Sequence, residues 1–593
     1  MIYRAISFLI FAVLIASLFF WWNQLNGFDA LDMQWWIWLF KYVKATDALP
    51  EEFYLPLYTI TPLLAIAPAF VLAVGNRAKN RTSGDRKSNE LHGTARWAQK
   101  KDLKQAGLIQ KQRVVVGGRK SFFGKIVPLL HNGPEHVLVF APSRSGKGVG
   151  LVIPTLLTWL QSVLVLDIKG EIYAMTAGWR KLIGQKVLKF APASPNGSTR
   201  FNPLAEIRIG TDHVIADCQN VALMMIDPDG KGLKDHWMKD GWDWLSNMLL
   251  HVLHKTKIEE KRDANLSDVM LFVSGVINEA ENDEDAANEG FNELLNDMMA
   301  YDHQDYYVNQ AVRSGCASMK IKAFSEKSGV HSSAKEPLNL YRDPIIAKNL
   351  ECSDFSLREL MNGDDPASLY LVIPPKEIKR LRPLIRMVMN MFLNFQMEDL
   401  EFENGEQKKT RKYDMLLMLD EFTSIGKLDI FQDSLAYMAG YGLKAYIIVQ
   451  DRAQLTSEKT GYGRDEAISS NCHVQAAYAP NKVETAEYLS KRLGKATYVQ
   501  HKKSTSKKAA GGGSAGTSES IGETGRDLLT PSECMLLQGA IKSDDGKKIL
   551  KAGAMLTMVA GFAPFLGIQY LFFFQKHLLE RSQIPAPQPY RKD

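Results

Sequence analysis

An apolar run that leads directly into a glycine-bearing loop constrains the fold of this chain more than any other feature. Residues 136–140 have the composition of a buried strand, the loop 141–148 contains Gly146 and Lys147, and a helical pattern follows over 149–160. In this order, backbone N–H groups of the loop and the positive end of the helix can surround phosphate groups. The pattern therefore predicts a P-loop. The residues predicted to contact a nucleotide are Pro142, Ser143, Arg144, Ser145, Gly146, Lys147 and Gly148.

The loop departs from the usual G-x-x-x-x-G-K-S/T spacing at both ends. Ala141 stands in place of the first glycine, and Gly148 stands in place of the Ser or Thr whose hydroxyl normally binds Mg²⁺. Lys147 is present, and we expect it to reach the β and γ phosphate oxygens. A strand-turn-helix without a ligand is the alternative interpretation of this loop taken alone.

A second apolar run predicts the other half of a nucleotide site. Residues 415–419 read as a buried strand that ends in Asp420 and Glu421, which is the form of a Walker B strand. We expect Asp420 to bind Mg²⁺ and Glu421 to polarise the attacking water. The structural alternative is a pair of carboxylates that caps a strand end. With Lys147, these residues predict ATP and Mg²⁺ as cofactors.

Two further strands end in polar residues. Residues 445–449 place Gln450 at the carboxyl edge of the sheet, where open α/β folds bind ligands, so Gln450 is predicted to sense the γ-phosphate. Its alternative role is that of an ordinary polar residue at a strand end. Residues 163–166 are followed by Asp167 and Glu171, which either help to bind Mg²⁺-bound water or cap a helix.

Two apolar stretches near the N-terminus are each long enough to span a bilayer. Residues 5–22 contain only Ser7 and Ser17 as polar side chains, and residues 54–75 carry no charge. A cleaved signal peptide is the alternative for the first stretch, but bulky aromatic residues at 19–22 occupy the place where cleavage needs small ones. We therefore expect a retained anchor with two transmembrane helices.

The flanking charges predict the orientation of this anchor. The second stretch is followed by a basic cluster, whereas the loop of about residues 23–53 has more acidic than basic residues. The basic side is expected in the cytoplasm, so the loop lies in the periplasm. The basic cluster consists of Arg77, Lys79, Arg81, Arg86 and Lys87. The chain is thus predicted to be a multi-pass protein of a bacterial inner membrane with most of its length in the cytoplasm.

The spacing of the two nucleotide motifs predicts an insertion. Lys147 and Asp420 are 273 positions apart, more than a P-loop core needs, and between 211 and 328 apolar residues recur at helical spacing. The predicted plan is an anchor over 1–76, a nucleotide-binding domain in two parts over 77–210 and 329–545, an all-α insertion over 211–328, and a C-terminal segment over 546–593. Residues 502–518 read as a flexible basic loop, either a plain linker or a contact for phosphates.

Composition excludes several classes of protein. A net charge of +6 over 593 residues is too small to indicate a nucleic-acid partner by itself. The five cysteines form no C-x-x-C pair, which argues against a disulfide framework or a zinc site and predicts free thiols.

Several short segments, together, carry a resemblance to a known family. They are residues 92–98 (His-Gly-Thr-Ala-Arg-Trp-Ala), 145–154, 167–171, 201–204 (Phe-Asn-Pro-Leu), 419–421 (Leu-Asp-Glu), Gln450 and 525–533. With the two apolar stretches, they make the chain similar to the TraG-like coupling proteins of type IV secretion and bacterial conjugation. Those proteins are inner-membrane ATPases that bring substrates to the secretion channel, and the resemblance extends to about residue 533.

The resemblance implies a fold, an assembly and partners. The implied fold is a RecA-like P-loop motor of the α/β class with an inserted all-α domain behind two transmembrane helices. The implied assembly is a ring of six around a central channel, and the implied partners are secretion-channel components and either a relaxase–DNA complex or protein effectors. Gly148 resembles the family's own variant of the loop. Some relatives carry a candidate arginine finger where this chain has residues 437–442 without arginine, which leaves Arg452, Arg464 and Arg526 as candidates.

Three functions are consistent with these features. The first is a coupling ATPase that recruits DNA–protein or protein substrates and drives their export. The second is a chromosome-type DNA translocase, which usually has more membrane helices and a separate DNA-reading domain. The third is a nucleotide-binding membrane receptor with little turnover, an alternative that rests on Gly148 and the missing arginine. The short anchor and the helical insertion favour the first.

Overall fold

Runs of aliphatic and β-branched residues form the eleven strands of one mixed sheet in this computed structural model. The structure describes residues 93–110, 113–228, 230–275, 284–398, 411–505, 517–546 and 548–592, with short pieces between 12 and 58 and between 402 and 407. The strands are β1 (Val114–Lys120), β2 (Ile126–His131), β3 (Val137–Phe140), β4 (Ser162–Asp167), β5 (Lys186–Phe190), β6 (Ala367–Val372), β7 (Met415–Leu419), β8 (Leu443–Val449), β9 (Val474–Ala477), β10 (Ala554–Val559) and β11 (Phe565–Ile568).

The order of these strands is that of an open α/β sheet extended on one side. It runs β2-β1-β11-β10-β9-β3-β8-β7-β4-β6-β5. The seven strands from β9 to β5 are parallel, whereas β10, β11, β1 and β2 are antiparallel to their neighbours. The central strands β3, β4, β7 and β8 are buried along their whole length, as expected for parallel strands covered on both faces.

The chain divides into two units, and the larger one contains the sheet together with most of the described helices. The helices of this larger unit are α1 (Lys100–Gln105), α2 (Ile153–Leu156), α3 (Glu171–Leu182), α4 (Val214–Ile226), α5 (His236–Glu259), α6 (Leu266–Gly275), α7 (Glu284–Ala300), α8 (Tyr306–Lys320), α9 (Phe324–Lys335), α10 (Pro344–Asn349), α11 (Ile378–Gln396), α12 (Asp429–Ser434), α13 (Ala453–Thr456), α14 (Ile468–Asn471), α15 (Val483–Leu493), α16 (Pro531–Met535) and α17 (Lys576–Ser582).

The chain between β5 and β6 is helical. No described residue between Phe190 and Ala367 lies in a strand, and α9 runs through position 328, so the helical region extends beyond the predicted boundary. Asp235 and Asp305 begin α5 and α8 as N-caps, because their carboxylates accept hydrogen bonds from backbone N–H groups of the first turn. In the core of this region the Trp244 indole donates to His331 Nδ1 at 3.2 Å.

The C-terminal segment is part of the sheet. No strand was predicted for residues 546–593, yet β10 and β11 of this segment lie between β9 and β1. Thr557 Oγ1 of β10 donates to the carbonyl of Val116 at 2.9 Å. The last residues run along α3, where the Tyr173 hydroxyl donates to the carbonyl of Pro587 at 2.6 Å. The five cysteines are free, as predicted.

A second, smaller unit consists of Met1–Thr94 and Lys495–Arg526. Its described elements include the helix Met33–Thr46 and a two-stranded hairpin, Lys495–Thr505 with Thr517–Asp527. The prediction of a flexible loop over 502–518 was therefore wrong at both ends, where threonine-containing sequence extends the strands instead. Residues 506–516 lie outside the described part.

The predicted membrane anchor falls mostly on residues outside the described part, namely most of 5–22 and nearly all of 54–75. Among the described residues, no helix combines the length and the apolar character needed to cross a bilayer.

Candidate nucleotide site

The parallel strands bring four polar strand ends to one edge of the sheet. Strand β8 lies between β3 and β7, with Val449 opposite Phe140 and Ile447 opposite Leu419. The ends of these three strands are therefore neighbours. The glycine-bearing loop follows β3, Gln450 follows β8, and Asp420 follows β7. On the far side of β7, Leu166 of β4 lies opposite Leu419, which brings Asp167 to the same edge. This is the edge at which open α/β sheets bind ligands.

Side chains from three of these strand ends form one cluster around Lys147. Its ammonium contacts the Oε1 atom of Glu421 and lies 3.0 Å from Asp420 Oδ1. The Gln450 amide donates to the other Glu421 oxygen, Oε2, at 3.0 Å. The structure thus brings together Lys147, Asp420, Glu421 and Gln450, which the sequence places in a common site. Two carboxylates neutralise the lysine that the P-loop pattern assigns to phosphates.

The two acidic side chains have different electrostatic environments. Burial raises the pKa of Asp420, and the nearby charge of Lys147 only partly offsets this. Burial also opposes ionisation of Glu421, but the hydrogen bond and charge of Lys147, with the Gln450 amide, outweigh it and lower the pKa of Glu421. Glu421 is therefore held as a carboxylate that can accept a proton or a hydrogen bond. Its backbone has φ 60°, an uncommon conformation for a non-glycine residue.

Two residues of the glycine-bearing loop have a left-handed backbone conformation. Arg144 has φ 61° and Gly146 has φ 91°. The helix that follows begins with a π-helical turn, Gly148–Val152, before α2. It is shorter than the predicted span of 149–160, because the Thr158 amide bonds back to Thr155 in a tight turn that ends it. Ser143 and Arg144 are exposed at the tip of the loop.

Gln569, from the C-terminal segment, holds this loop in place. Its amide Nε2 donates to the carbonyl of Ser145 at 3.0 Å, and its Oε1 accepts from the amide of Gly553 at 3.2 Å. Only 1% of the residue is exposed. Sequence reasoning missed Gln569, because no motif marks it and its partner lies 424 positions earlier in the chain.

Gly148 is not required by packing. A Cβ atom at this position would meet no heavy atom within 4 Å, so the missing Ser or Thr hydroxyl reflects the sequence and not a lack of space. Asp420 offers the carboxylate oxygens that Mg²⁺ prefers, and its neighbour Lys147 is the group that phosphates would engage. The residues present therefore fit a nucleotide with its Mg²⁺ ion. Asp420 would hold the metal, and Lys147 would contact the phosphates.

One sequence profile matches most of the chain. Its description is "Type IV secretory system Conjugative DNA transfer", and it covers residues 96–589. The chain belongs to this conjugative DNA-transfer family. The resemblance to TraG-like coupling proteins is thereby confirmed.

Individual members of the family agree with this assignment. A conjugal transfer protein TraG of Escherichia coli is 45% identical over 519 residues, which cover 84% of this chain and 80% of the relative. Protein VirD4 of Agrobacterium fabrum (strain C58) is 27% identical over 528 residues, covering 85% of this chain and 69% of the relative.

Solved structures of a conjugative coupling protein have the same fold. The unbound TrwB fragment lacking its first 70 residues superposes with a TM-score of 0.53 at 16% identity and covers 80% of this chain and 92% of its own. TrwB with a non-hydrolysable ATP analogue gives a TM-score of 0.51 at 16% identity, with 80% and 93% covered. At this identity the match establishes the fold alone, which is that of TrwB.

The Asp167 carboxylate is engaged by backbone amides. Its two carboxylate oxygens accept hydrogen bonds from the amides of Gly170 and Tyr173, each at 2.8 Å, at the start of α3. These bonds favour the helix-capping alternative over a role in binding magnesium-bound water. Glu171 is exposed in the first turn of the same helix.

The candidate arginines of the larger unit make other contacts. The guanidinium of Arg452 stacks on the Tyr488 ring at 4.5 Å, and Arg464 is exposed on a loop. Arg526 belongs to the smaller unit, where it stacks on Tyr498 at 5.7 Å. Among the described residues, neither Arg452 nor Arg464 donates a hydrogen bond to the Lys147 cluster.

Proposed function

We propose that this chain is a type IV secretion coupling protein that binds and hydrolyses ATP and recruits substrates to the secretion channel during conjugative transfer. One observation carries the proposal. Lys147, Asp420, Glu421 and Gln450 converge at the carboxyl edge of the sheet, in a member of a family described by conjugative DNA transfer. Its substrates would be a relaxase–DNA complex or protein effectors.

The proposed cofactors are ATP and Mg²⁺. TrwB has been solved with an ATP analogue and with ADP and Mg²⁺. In this chain Asp420 would hold the metal, which would shield the phosphate charges. Lys147 would exchange its two carboxylate partners for β and γ phosphate oxygens. Glu421, freed from Lys147, would orient water and take its proton, with Gln450 reporting the γ-phosphate through its contact with Glu421.

We further propose that two transmembrane helices over 5–22 and 54–75 anchor the chain in the bacterial inner membrane. The charge asymmetry of their flanks supports a periplasmic loop and a cytoplasmic motor. Thiol labelling of single cysteines introduced at Asp32 and Lys101 tests this topology. An impermeant reagent that reached position 101 before position 32 in intact spheroplasts would contradict it.

The proposed assembly is a ring of six. The negative charge of the γ-phosphate in the transition state of phosphoryl transfer is stabilised by a positively charged group beside it, often an arginine of a neighbouring subunit. Arg452 stacks on Tyr488 in its own chain and Arg464 lies on an exposed loop, so a neighbouring chain is the proposed source of that charge. A receptor with little turnover is the second candidate function, and the absence of a hydroxyl at Gly148 favours it.

Paired substitutions distinguish an ATPase from a receptor. We expect Lys147→Ala to abolish nucleotide binding, because it removes the phosphate contact. Glu421→Gln removes the carboxylate that would accept the proton of the attacking water but leaves Lys147 in place. Nucleotide binding should therefore persist, while turnover falls by about 100-fold or more. Fluorescent-nucleotide titration and phosphate release on the full-length chain measure the two effects. Parental turnover in Glu421→Gln would assign Glu421 a structural role, and negligible turnover in the parent would favour the receptor.

A further inference from the structure

The turn between β1 and β2 carries two exposed aromatic side chains. Phe122 is 99% exposed and Phe123 is 86% exposed. Their rings pack edge to face on each other, with 5.5 Å between centroids. Two adjacent phenylalanines that leave almost all of their surface in water indicate a surface that another apolar phase covers. We call residues 121–124 the aromatic turn.

The aromatic turn is closed by its own backbone. The amide of Ser121 donates to the carbonyl of Lys125 at 2.7 Å, and the amide of Gly124 donates to the carbonyl of Ser121 at 3.0 Å. Gly124 has φ 77°, a conformation that glycine adopts without strain. Strand pairing continues up to the turn, where Lys120 lies opposite Ile126. The two rings are therefore held at the end of a hydrogen-bonded hairpin.

Basic side chains surround the aromatic turn. Lys120 precedes it and Lys125 follows it, and both are exposed. Beside the turn lies a cavity of about 840 Å³, and among the described residues no acidic side chain lines it. The charged residues of its lining are Lys100, Arg119, Lys120 and Lys551. Asp102, two positions after Lys100, is already paired with Arg96 at 2.7 Å.

Exposed aromatic rings among lysines have the chemistry of a membrane-surface contact. Aromatic side chains insert at the boundary between headgroups and acyl chains, while lysines attract anionic headgroups. A nucleic-acid strand would also attract the lysines. The ring planes of Phe122 and Phe123 stand at 88° to each other, however, and do not form the parallel platform on which consecutive bases stack. The geometry favours a lipid surface.

The covalent chain keeps this surface within reach of the proposed bilayer. The amide of Ala98 donates to the carbonyl of Pro564 at 2.8 Å, and the next residue, Phe565, lines the cavity beside the turn. Ala98 follows the second apolar stretch, residues 54–75, by 23 positions, which is at most about 80 Å of extended chain. A surface tethered in this way meets the bilayer at a high effective concentration, so a weak contact is sufficient.

We propose that the aromatic turn inserts into the cytoplasmic face of the inner membrane where anionic lipids are present. The inference rests on the proposed function, because the two transmembrane helices are what bring the chain to the bilayer. Phe122 and Phe123 lie at the boundary between headgroups and acyl chains, and the basic side chains around them face headgroup phosphates. The hairpin of β1 and β2 is then a second attachment to the membrane, separate from the anchor.

The test places a fluorescent reporter on the full-length chain in lipid nanodiscs. An environment-sensitive fluorophore is attached at Phe123→Cys or, as the control, at Ile321→Cys, because both positions are 86% exposed. Cys352→Ser in both chains removes the native thiol that is not buried. The discs consist of phosphatidylcholine with or without phosphatidylglycerol, and a lipid that is spin-labelled near its headgroup quenches a fluorophore at the interface. In discs with phosphatidylglycerol, emission from position 123 should be blue-shifted and quenched, whereas position 321 should show neither effect.

A pair of double variants tests the role of the lysines. Lys120→Ser/Lys125→Ser should weaken insertion by about fivefold for each lysine, about 25-fold together, so quenching at position 123 is lost. Lys181→Ser/Lys348→Ser is the matched control, because it removes two exposed lysines from α3 and α10 and should leave the quenching unchanged. Nucleotide affinity should stay at the parental value in both variants, which confirms that they are folded.

Four results would overturn the inference, and they are separable. Equal quenching at positions 123 and 321 would mean that the aromatic turn stays in water, although the coupling function stands. Quenching at position 123 that is the same without phosphatidylglycerol, or in Lys120→Ser/Lys125→Ser, would exclude recognition of anionic headgroups. A blue shift that grows with chain concentration and that the spin-labelled lipid does not quench would assign the turn to a contact between copies of the chain. A chain that does not enter the discs would overturn the proposed anchor together with this inference.

Discussion

At the scale of single residues, Gly148 offers a direct test of how magnesium is held. A side chain fits at this position, because a Cβ atom would meet no heavy atom within 4 Å. We expect Gly148→Thr to supply a hydroxyl ligand and to lower the Mg²⁺ concentration for half-maximal nucleotide binding by about tenfold, equivalent to about 1.4 kcal/mol. Nucleotide titration across Mg²⁺ concentrations measures this.

The matched control for this change is Gly146→Thr. Gly146 has φ 91°, which a threonine rarely adopts, so this variant should bind nucleotide weakly at any Mg²⁺ concentration. An Mg²⁺ requirement that Gly148→Thr leaves unchanged would mean that the metal lies too far from position 148 to accept the hydroxyl.

Gln569 should affect nucleotide binding without touching the chemical step. Gln569→Leu leaves the Ser145 carbonyl and the Gly553 amide without their partner in a buried place, which costs about 1–3 kcal/mol. We expect a raised KM for ATP and a kcat near the parental value, because Lys147 and Glu421 are unchanged. Steady-state kinetics measure the split, and Gln583→Leu, at an exposed site of the same segment, is the control. A fall in kcat alone would assign Gln569 a different role.

The residues of the site differ in how far the sequence reveals them. Lys147, Asp420, Glu421 and Gln450 each follow an apolar run, and the rule that parallel strands share a carboxyl edge brings them together before any coordinates are known. Gln569 follows the antiparallel strand β11, whose pairing with β1 spans more than 400 positions. No local pattern encodes that pairing.

At the scale of elements, the strand predictions were the most accurate because buried parallel strands are continuous apolar runs. The run at 415–419 coincides with β7, and that at 445–449 lies within β8. Residues 201–204, noted only for their resemblance to a family, have a structural role. Asn202 Oδ1 accepts from the amide of Leu204 and its Nδ2 donates to the carbonyl of Ala264, so it ties the segment before the insertion to the loop that precedes α6.

Strand β8 carries a buried lysine that makes stability depend on pH. Lys444 Nζ lies 2.9 Å from His131 Nδ1 and donates to the carbonyl of Gly133 at 2.6 Å, and burial lowers the pKa of Lys444 to about 7. In the unfolded chain the pKa is the ordinary 10.5. Between pH 7 and 10.5 the unfolded chain therefore binds more protons than the folded chain. The free energy of unfolding should rise with pH there, by up to about 1.4 kcal/mol per unit.

Lys444→Met should remove this contribution. Denaturant unfolding of the parent and the variant at pH 7, 8 and 9 gives the difference in slope, and Lys542→Met at an exposed site controls for the loss of a surface charge. Equal pH slopes in the parent and in Lys444→Met would mean that Lys444 keeps its proton when buried.

At the scale of the whole molecule, the long separation of Lys147 and Asp420 correctly indicates that something is inserted, and the structure fills that interval largely with helices α4 to α11. The pairing of the C-terminal strands β10 and β11 with the rest of the sheet was not predictable in the same way. Thr557 and Val116 lie 441 positions apart, and β10 and β11 are short strands without a flanking motif. Long-range antiparallel pairing is specified by complementary edges and not by a periodic pattern within either strand.

The last prediction concerns assembly. One chain supplies Lys147, Asp420, Glu421 and Gln450, while Arg452 is stacked on Tyr488 and Arg464 lies on an exposed loop. We therefore propose that a neighbouring chain supplies the charge that completes the transition state. We expect turnover per chain to be weak at low protein concentration and to rise as chains associate, with DNA promoting that association. We expect the contacts to DNA to be made to its phosphates, so the stimulation should fall steeply with salt and be the same for unrelated sequences. Phosphate release measured against chain concentration, with and without DNA, gives the result. Activity that is independent of concentration and unchanged by DNA would mean that each chain carries a complete site, and it would favour a receptor for protein cargo over a nucleic-acid motor.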